Sequence, residues 1–244
     1  MKKFIALLLA LCMAAMLCAC SKSEETDSTS AQQQTENQTT EAASGDGSLY
    51  DALKQILGSG ISLDQYELSY EDEEIVNLYV LTNERNVLDY TFKTDDGTTI
   101  KLPIVYGDFL NAGWTSTVQW EEQAQASSMG SSAHKNGAGE TIYVSIINHT
   151  DATVELKDCW VNRVTLGQEY SAGFDIHGIK KGSSVAEVIA AMGNPYNIEY
   201  YNDGEYESLE LNFEAMDGTL TFHIDSQTAQ VTGATYGFST NYIE

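Results

Sequence analysis

The side chains that could carry catalysis are few and scattered. The chain has four histidines: His134, His149, His177 and His223. No two of them have His-x-x-x-His spacing and no cysteine cluster accompanies them, so zinc chemistry has no support. Two pairs could place a base and its orienting carboxylate on one strand face: His223 with Asp225, and Asp175 with His177. Neither comes with a serine nucleophile elbow, so the sequence predicts no catalytic residue, no metal site and no cofactor.

The first cysteines belong to an export signal. A basic start at Lys2 and Lys3 is followed by an apolar stretch from Phe4 to Leu17 and a small residue before Cys20. This segment has the layout of a secretory signal. A small residue followed by Cys, three residues after a Leu, resembles the bacterial lipobox. The resemblance implies a signal peptide over residues 1–19 and a lipidated Cys20 whose acyl chains, palmitate among them, anchor the protein at the extracytoplasmic face of the cell membrane.

The remaining cysteine, Cys159, has no partner for a disulfide once the signal is removed and Cys20 is lipidated. It lies in a run that is typical of a strand, Thr153–Val161. A cysteine nucleophile needs a nearby histidine base, whereas a buried thiol behaves as a small apolar side chain. We therefore predict a buried structural thiol.

The net charge excludes several partners. The chain has 12 Lys and Arg against 36 Asp and Glu, a formal charge of -24. Without Lys2 and Lys3 the balance is 10 minus 36, or -26. So acidic a chain lacks the cationic surface that nucleic-acid binding needs. The acidic runs at 71–74 and 95–96 lack the spaced oxygen ligands of a calcium loop and are predicted to be solvated turns.

Composition divides the mature chain into a tether and a folded region. From Ser21 to Ser48 no apolar side chain exceeds alanine in size, so residues 20–48 are predicted to be the lipidated cysteine and a disordered tether. The folded region is predicted to contain two units, 49–170 and 171–244. The fold class predicted from both is α+β, with two small helix-on-antiparallel-sheet units.

The first unit is predicted to open with a helix from Leu49 to Leu57. A hairpin turning at residues 94–97 and a short helix over 106–113 follow. Small and polar residues over 125–139 predict a loop, and a second hairpin is predicted to join residues 141–147 with 152–164.

The second unit has stronger local signals. Ser184 with Glu187 predicts a capping box, and Gly193 with the following proline predicts the end of that helix. Strict alternation of apolar and polar residues over 209–213 and 220–224 predicts two strands, flanked by a strand near Tyr200 and another over 231–238. This unit is therefore predicted to be one helix against a four-stranded antiparallel meander, with His223 on the face opposite the apolar residues.

A family resemblance rests on these same positions. The matching residues are Gly178, Ile179, Gly182, Ser184, Glu187, Val188, Met192, Gly193, Pro195, Phe213, Asp217, Gly218, Thr219, Leu220, Phe222 and Val231. This pattern resembles the small module of β-lactamase inhibitory protein and of the outer-membrane assembly lipoprotein BamE. The chain as a whole resembles uncharacterised lipoproteins of Gram-positive bacteria. The resemblance implies the fold of the second unit, and it suggests a sheet face as the binding surface because the inhibitory proteins grip their targets with one.

Tyrosine is the residue type that best suits recognition. The chain has 14 Tyr and 3 Trp. The candidate binding residues are Tyr196, Tyr200, Tyr201, Tyr206 and Trp114. Tyrosine provides rigid, amphipathic contact area, although aromatic residues also favour strands for purely structural reasons.

Three functions remain open from the sequence. The preferred hypothesis is a non-catalytic cell-envelope lipoprotein that binds a protein or peptide partner through sheet faces and loops, and flat apolar faces without a pocket would favour it. The alternative is a lipoprotein that binds a cell-wall glycan or small ligand on Tyr and Trp platforms, which a deep aromatic groove would favour. A hydrolase is the third hypothesis, and a histidine, a carboxylate and a hydroxyl within hydrogen-bond reach would favour it.

Overall fold

The computed structural model describes residues 45–72, 74–82 and 88–239. The predicted signal peptide, Cys20 and residues 20–44 of the predicted tether lie outside these ranges. Within them, three α-helices occur: α1 (Gly45–Leu57), α2 (Tyr106–Asn111) and α3 (Val185–Met192). Helix α1 ends where the sequence predicts and begins four residues earlier. Short 3-10 helices span Gly58–Gly60, Leu63–Gln65 and Leu156–Asp158.

Sixteen strands occur in the described residues. In the first half they are β1 (Tyr66–Asp72), β2 (Ile75–Val80), β3 (Thr91–Thr94), β4 (Thr99–Lys101), β5 (Ile104–Val105), β6 (Thr115–Ser116), β7 (Gln123–Ala124) and β8 (Met129–Lys135). In the second half they are β9 (Thr141–Ile147), β10 (Val154–Glu155), β11 (Trp160–Gly167), β12 (Phe174–Asp175), β13 (Asn197–Asn202), β14 (Glu207–Glu214), β15 (Gly218–Asp225) and β16 (Gln230–Phe238). The fold is α+β in the broad sense, with far more antiparallel strand than helix.

One large sheet organises these strands. Its order is β1-β2-β13-β14-β15-β16-β11-β9-β8-β6, and β5 pairs with part of β11. The smaller groups are the pair β7–β10 and the three-stranded sheet β12-β3-β4. Strand β2 pairs with β13, and β11 pairs with β16. The large sheet therefore runs across the predicted unit boundary at residue 170.

Alternation along the strands separates two faces of the large sheet. On β14 the buried side chains are Leu209, Leu211 and Phe213, and on β15 they are Leu220, Phe222 and Ile224. These residues belong to one apolar core with Leu53 of α1, Phe109 of α2 and Val188 of α3. We call this side of the sheet the covered face. The opposite side, which carries Asn212, Thr221, Thr235, Thr165 and Tyr143 in one register row, is called the open face.

The second unit follows its sequence signals closely. The Ser184 hydroxyl accepts a hydrogen bond from the Glu187 backbone N–H, and the Glu187 carboxylate accepts one from the Ser184 backbone N–H. Helix α3 ends before Gly193, whose φ of 78° is a conformation that glycine adopts readily. The four predicted strands are confirmed as β13 to β16, joined as an antiparallel meander.

The predicted loop over 125–139 is wrong, because residues 129–135 within it form strand β8 of the large sheet. The buried side chains of β8 are Ser132 and His134, so the strand has no apolar alternation for a sequence pattern to detect. Strand β1 at the sheet edge was also not predicted. Its outward residues Leu68 and Tyr70 remain partly exposed, at 37% and 38%.

Candidate functional site

Small residues on β16 form a trough in the open face. The open-face positions of this strand are Gly233, Thr235 and Gly237, while Ala234, Tyr236 and Phe238 point into the core. A Cβ atom at Gly237 would lie 3.2 Å from the Thr219 hydroxyl, which faces it from β15. The trough therefore exists because glycine occupies this position.

A β-bulge on the neighbouring strand aims an arginine at this trough. Strand β11 pairs with β9 through Val161 and then through Arg163, and Asn162 is the extra residue between them. An extra residue resets the alternation of a strand. Val161 and Val164 are therefore both buried, whereas Asn162 and Arg163 both line the open face.

These features border a depression of about 780 Å³. Its floor is made of hydroxyl side chains from four strands: Ser131, Ser145, Thr165 and Thr219. Met129 and Met216 border it and are 66% and 75% exposed, the highest values among the large apolar side chains described. Tyr143 forms part of the wall and stacks on Tyr170 with ring centroids 5.6 Å apart. We call this depression the Arg163 groove.

The guanidinium of Arg163 makes no ion pair or hydrogen bond with any described residue. Glu214, which also lines the groove, lies three strands away in the same register row. Strand spacing separates the two backbones by about 14 Å. The N–H donors of the exposed Arg163 guanidinium are therefore available to a ligand, although the chain has three carboxylates for every cationic side chain.

A hydrogen-bonded ladder supports the open face beside the groove. The Asn197 amide donates to the Asn77 side-chain oxygen over 3.0 Å, and the Asn212 amide donates to Asn197 over the same distance. The Thr221 hydroxyl donates to Asn212 over 2.6 Å. Four adjacent strands are therefore joined by side chains as well as by backbone pairing. Such a network fixes side-chain positions where its polar groups are satisfied, and here the Asn77 amide nitrogen at one end is buried without a hydrogen-bond partner.

His223 on the open face is hydrogen-bonded to Glu210 on one side and to Thr235 on the other, and we call these three residues the His223 relay. Nδ1 of His223 lies 3.1 Å from a Glu210 carboxylate oxygen, and Nε2 lies 2.9 Å from the Thr235 hydroxyl. The Thr235 hydroxyl in turn lies 3.1 Å from that of Thr165. Because a carboxylate only accepts, Nδ1 donates to Glu210. The other ring nitrogen, Nε2, shares a hydrogen bond with the Thr235 hydroxyl and accepts it whenever the ring is neutral. A carboxylate, a histidine and a hydroxyl thus come within hydrogen-bond reach, which is the arrangement that would favour a hydrolase.

Accessibility limits this relay as a catalytic site. Thr235 is 8% exposed and belongs to an interior strand paired on both sides. It lines neither the Arg163 groove nor the depression of about 380 Å³ that borders His223 and Glu210. A nucleophile must reach the reacting carbon, and here the histidine is more accessible than the hydroxyl it would activate.

The sequence pairs considered for catalysis do not form. Asp225 accepts from the backbone N–H groups of Gln227 and Thr228, and Asp175 accepts from the backbone N–H of Gly178. The partner of His223 is instead Glu210, directly opposite on β14. Cross-strand neighbours are closer than residues two apart on one strand, and the sequence alone does not reveal that register.

Two other reactive side chains are buried in the core. His134 donates from Nδ1 to the Ser132 carbonyl over 3.1 Å and accepts at Nε2 from the Tyr106 hydroxyl over 2.9 Å. Burial lowers the pKa of His134, so it is held neutral. Burial also raises the pKa of the Cys159 thiol, and Cys159 is 1% exposed, which confirms the predicted buried thiol.

The predicted tyrosines separate into different environments. The rings of Tyr201 and Tyr206 lie 5.8 Å apart, and Tyr206 is 63% exposed. The Tyr201 hydroxyl donates to Asp203 over 2.8 Å, and this bond raises the pKa of Tyr201 to about 12. Tyr196, half-buried, meets Tyr79 edge to face at 6.2 Å. Tyr201 and Tyr206 form an aromatic pair, while Tyr196 lies beyond the other end of β13.

Two candidate binding residues need correction. Tyr200 is 1% exposed because alternation on β13 turns it to the covered face, where its hydroxyl donates to Glu207. Trp114 is fully buried and stacks on Phe109 with ring centroids 6.0 Å apart. Neither side chain can contact a partner at the surface of this structure, so both are core residues.

Comparison with protein-family models, with curated proteins and with solved structures finds no match. No helix among the described residues has the length and apolar character needed to cross a membrane. In the same residues, no three His, Cys, Asp or Glu side chains come together as they would around a metal ion.

Proposed function

We propose that the protein is a lipid-anchored lipoprotein of the extracytoplasmic cell envelope, non-catalytic, which binds a protein or peptide partner through the open face of its sheet. The export signal and Cys20 support the location. The observation that carries the binding role is the Arg163 groove, in which a guanidinium without a partner among the described residues lies over a floor of hydroxyl side chains. A rigid surface whose polar side chains are already held in place by hydrogen bonds, as Ser131 and Ser145 are, loses little entropy when a partner binds.

The second unit is proposed to be the module found in β-lactamase inhibitory protein and BamE. The capping box of α3, the glycine after it and the meander β13 to β16 support this assignment. In this proposal the open face corresponds to the sheet face with which the inhibitory proteins grip their targets. The assignment carries fold and binding surface, and no chemical mechanism.

Side chains favour a peptide over a glycan as the partner. The sugar-binding alternative depends on Tyr and Trp platforms, and Trp114 lies in the core. Tyr143 and Phe238 are the aromatic residues that line the Arg163 groove, and Tyr201 with Tyr206 lies several strands away at β13. Trp120 is partly exposed and lines two other depressions, so glycan binding would rest on Trp120 or on the Tyr201–Tyr206 pair. Trp120→Ala and Tyr201→Ala would test it through loss of cell-wall binding.

Photo-crosslinking in living cells tests the binding role. A photoreactive amino acid is placed at Thr219 or Ser131, both exposed on the open face, and at Ala190, exposed on α3 in the helix-bearing layer. We expect the same crosslinked species from both open-face positions and none from Ala190. Equal crosslinking at all three positions, or none at the open face, would contradict the proposed function.

The relay of Glu210, His223 and Thr235 supports a second candidate function, acyl transfer. In that role His223 would take the Thr235 proton as general base, and Glu210 would hold the imidazole. A fluorophosphonate reagent tests it on the purified protein. Labelling that is lost in Thr235→Val and in His223→Gln would establish a nucleophile. Absence of labelling leaves the relay as a structural network.

A further inference from the structure

The Arg163 groove presents two kinds of group to a ligand. The Arg163 guanidinium has no counter-ion among the described residues. Met129 and Met216 expose apolar surface at the border of the groove. Asn162 also lines the groove, but its side-chain oxygen is buried without a hydrogen-bond partner and is not accessible to a ligand. The guanidinium and the methionines each require a different partner group in a ligand.

Their chemistry defines those partner groups. A guanidinium binds carboxylates through two parallel hydrogen bonds. Methionine adapts to apolar side chains of varied shape. A peptide supplies a carboxylate and apolar side chains together, whereas a sugar acid lacks the apolar side chains and inorganic phosphate lacks all but the charge.

The charge of the whole chain restricts the peptide further. At -24 the protein repels strongly acidic partners, so the attraction of one guanidinium is local. A segment with a single carboxylate between apolar residues meets the groove without that repulsion.

We propose that the Arg163 groove binds an extended peptide segment with one carboxylate flanked by apolar side chains. The carboxylate accepts from Arg163, and the apolar side chains contact Met129 and Met216. This inference rests on the proposed function and names the chemistry of the partner.

Two isosteric tripeptides test the role of the carboxylate: acetyl-Leu-Asp-Leu-amide and acetyl-Leu-Asn-Leu-amide. Each is titrated into the isotopically labelled, purified whole protein, and the Arg Nε–Hε and Met methyl NMR signals are followed. The chain has two arginines, Arg85 and Arg163, so Arg163→Gln assigns the relevant signal. We expect the aspartate peptide to shift the signals of Arg163, Met129 and Met216, with a Kd about tenfold or more below that of the asparagine peptide, as a charge-assisted hydrogen bond predicts.

Variants identify the guanidinium as the cause. Arg163→Gln should bind both peptides equally weakly. Arg163→Lys keeps the positive charge but lacks the two parallel N–H donors, so its affinity for the aspartate peptide should lie between those of Arg163→Gln and the unaltered protein. Lys135→Gln removes the same charge from the same face about 13 Å along β8 from Ser131 and should retain the preference. Unchanged backbone spectra of the variants exclude misfolding.

Several outcomes would overturn the inference. Equal affinity for the two peptides would show that the carboxylate does not contribute to recognition. The absence of any shift in the NMR signals would show that the groove does not bind these peptides. Sodium glucuronate binding as tightly as the aspartate peptide would assign the site to a sugar acid. If the crosslinks at Thr219 and Ser131 persist in any of these cases, this inference fails while the proposed function stands.

Discussion

The two faces of the large sheet satisfy different requirements. Phe213 and Asn212 are adjacent on β14, yet Phe213 meets Phe222 edge to face in the core and Asn212 joins the hydrogen-bonded ladder. The covered face buries apolar surface, which drives folding. The open face needs only enough polar surface to keep the protein soluble. The hydrogen-bonded ladder and the His223 relay are more highly organised than solubility requires. The comparison teaches that the fold and the candidate site depend on opposite sides of the same strands.

The largest predicted effect belongs to the covered face. Phe213→Ala should lower the free energy of unfolding by about 3–5 kcal/mol, because Phe213 is fully buried and the cavity cannot refill. Urea denaturation of the purified protein measures this loss. Thr219→Ala on the exposed side of β15 is the control and should change stability by about 0.5 kcal/mol or less. A similar loss in both variants would show that the faces are not distinct.

A smaller loss is predicted for the ladder. Asn212→Ala should cost about 1–3 kcal/mol, because it removes the donor to Asn197 and the acceptor of Thr221. The same denaturation experiment, repeated with Thr221→Ala and with both substitutions together, measures the coupling between them. Additive losses would mean that the ladder is not a cooperative network.

The sequence predicts the covered face better than the open one. Alternation on β14 and β15 and the Ser184 cap of α3 are local signals, and each indicates its element directly. The register that sets His223 opposite Glu210 depends on how two strands pair, which no local pattern specifies. The candidate site therefore follows from tertiary structure.

The Arg163 groove illustrates the same limit at longer range. Arg163 faces Gly237 from a strand that lies far away in the chain, and it reaches the open face because of a bulge. Without the bulge, simple alternation would turn Arg163 into the core. The aromatic prediction failed for a related reason, since residues next to each other on β13 face opposite ways and only Tyr201 of the pair with Tyr200 is accessible.

At mildly acidic pH, above the range in which carboxylates take up protons, acid should act through His134 on the covered face. His134 is neutral in the folded protein because burial lowers its pKa, while the unfolded chain takes up a proton near the ordinary value of 6.5. Stability should therefore fall as the pH drops below 6.5, by at most about 1.4 kcal/mol per pH unit from this group. Urea midpoints at several pH values measure the slope. His134→Gln should flatten it, and an unchanged slope in this variant would assign the acid sensitivity to other groups.

The smallest predicted change in stability belongs to Arg163. Its guanidinium has no partner in the described part of the chain, so Arg163→Gln should alter the free energy of unfolding by about 0.5 kcal/mol or less. Urea denaturation measures this change beside that of Phe213→Ala. A loss of unfolding free energy above about 1 kcal/mol would mean that Arg163 stabilises the sheet and that its guanidinium is not available to a ligand. A near-zero change combined with loss of the peptide preference would separate the two faces completely, because the residue most important for recognition would then be dispensable for folding.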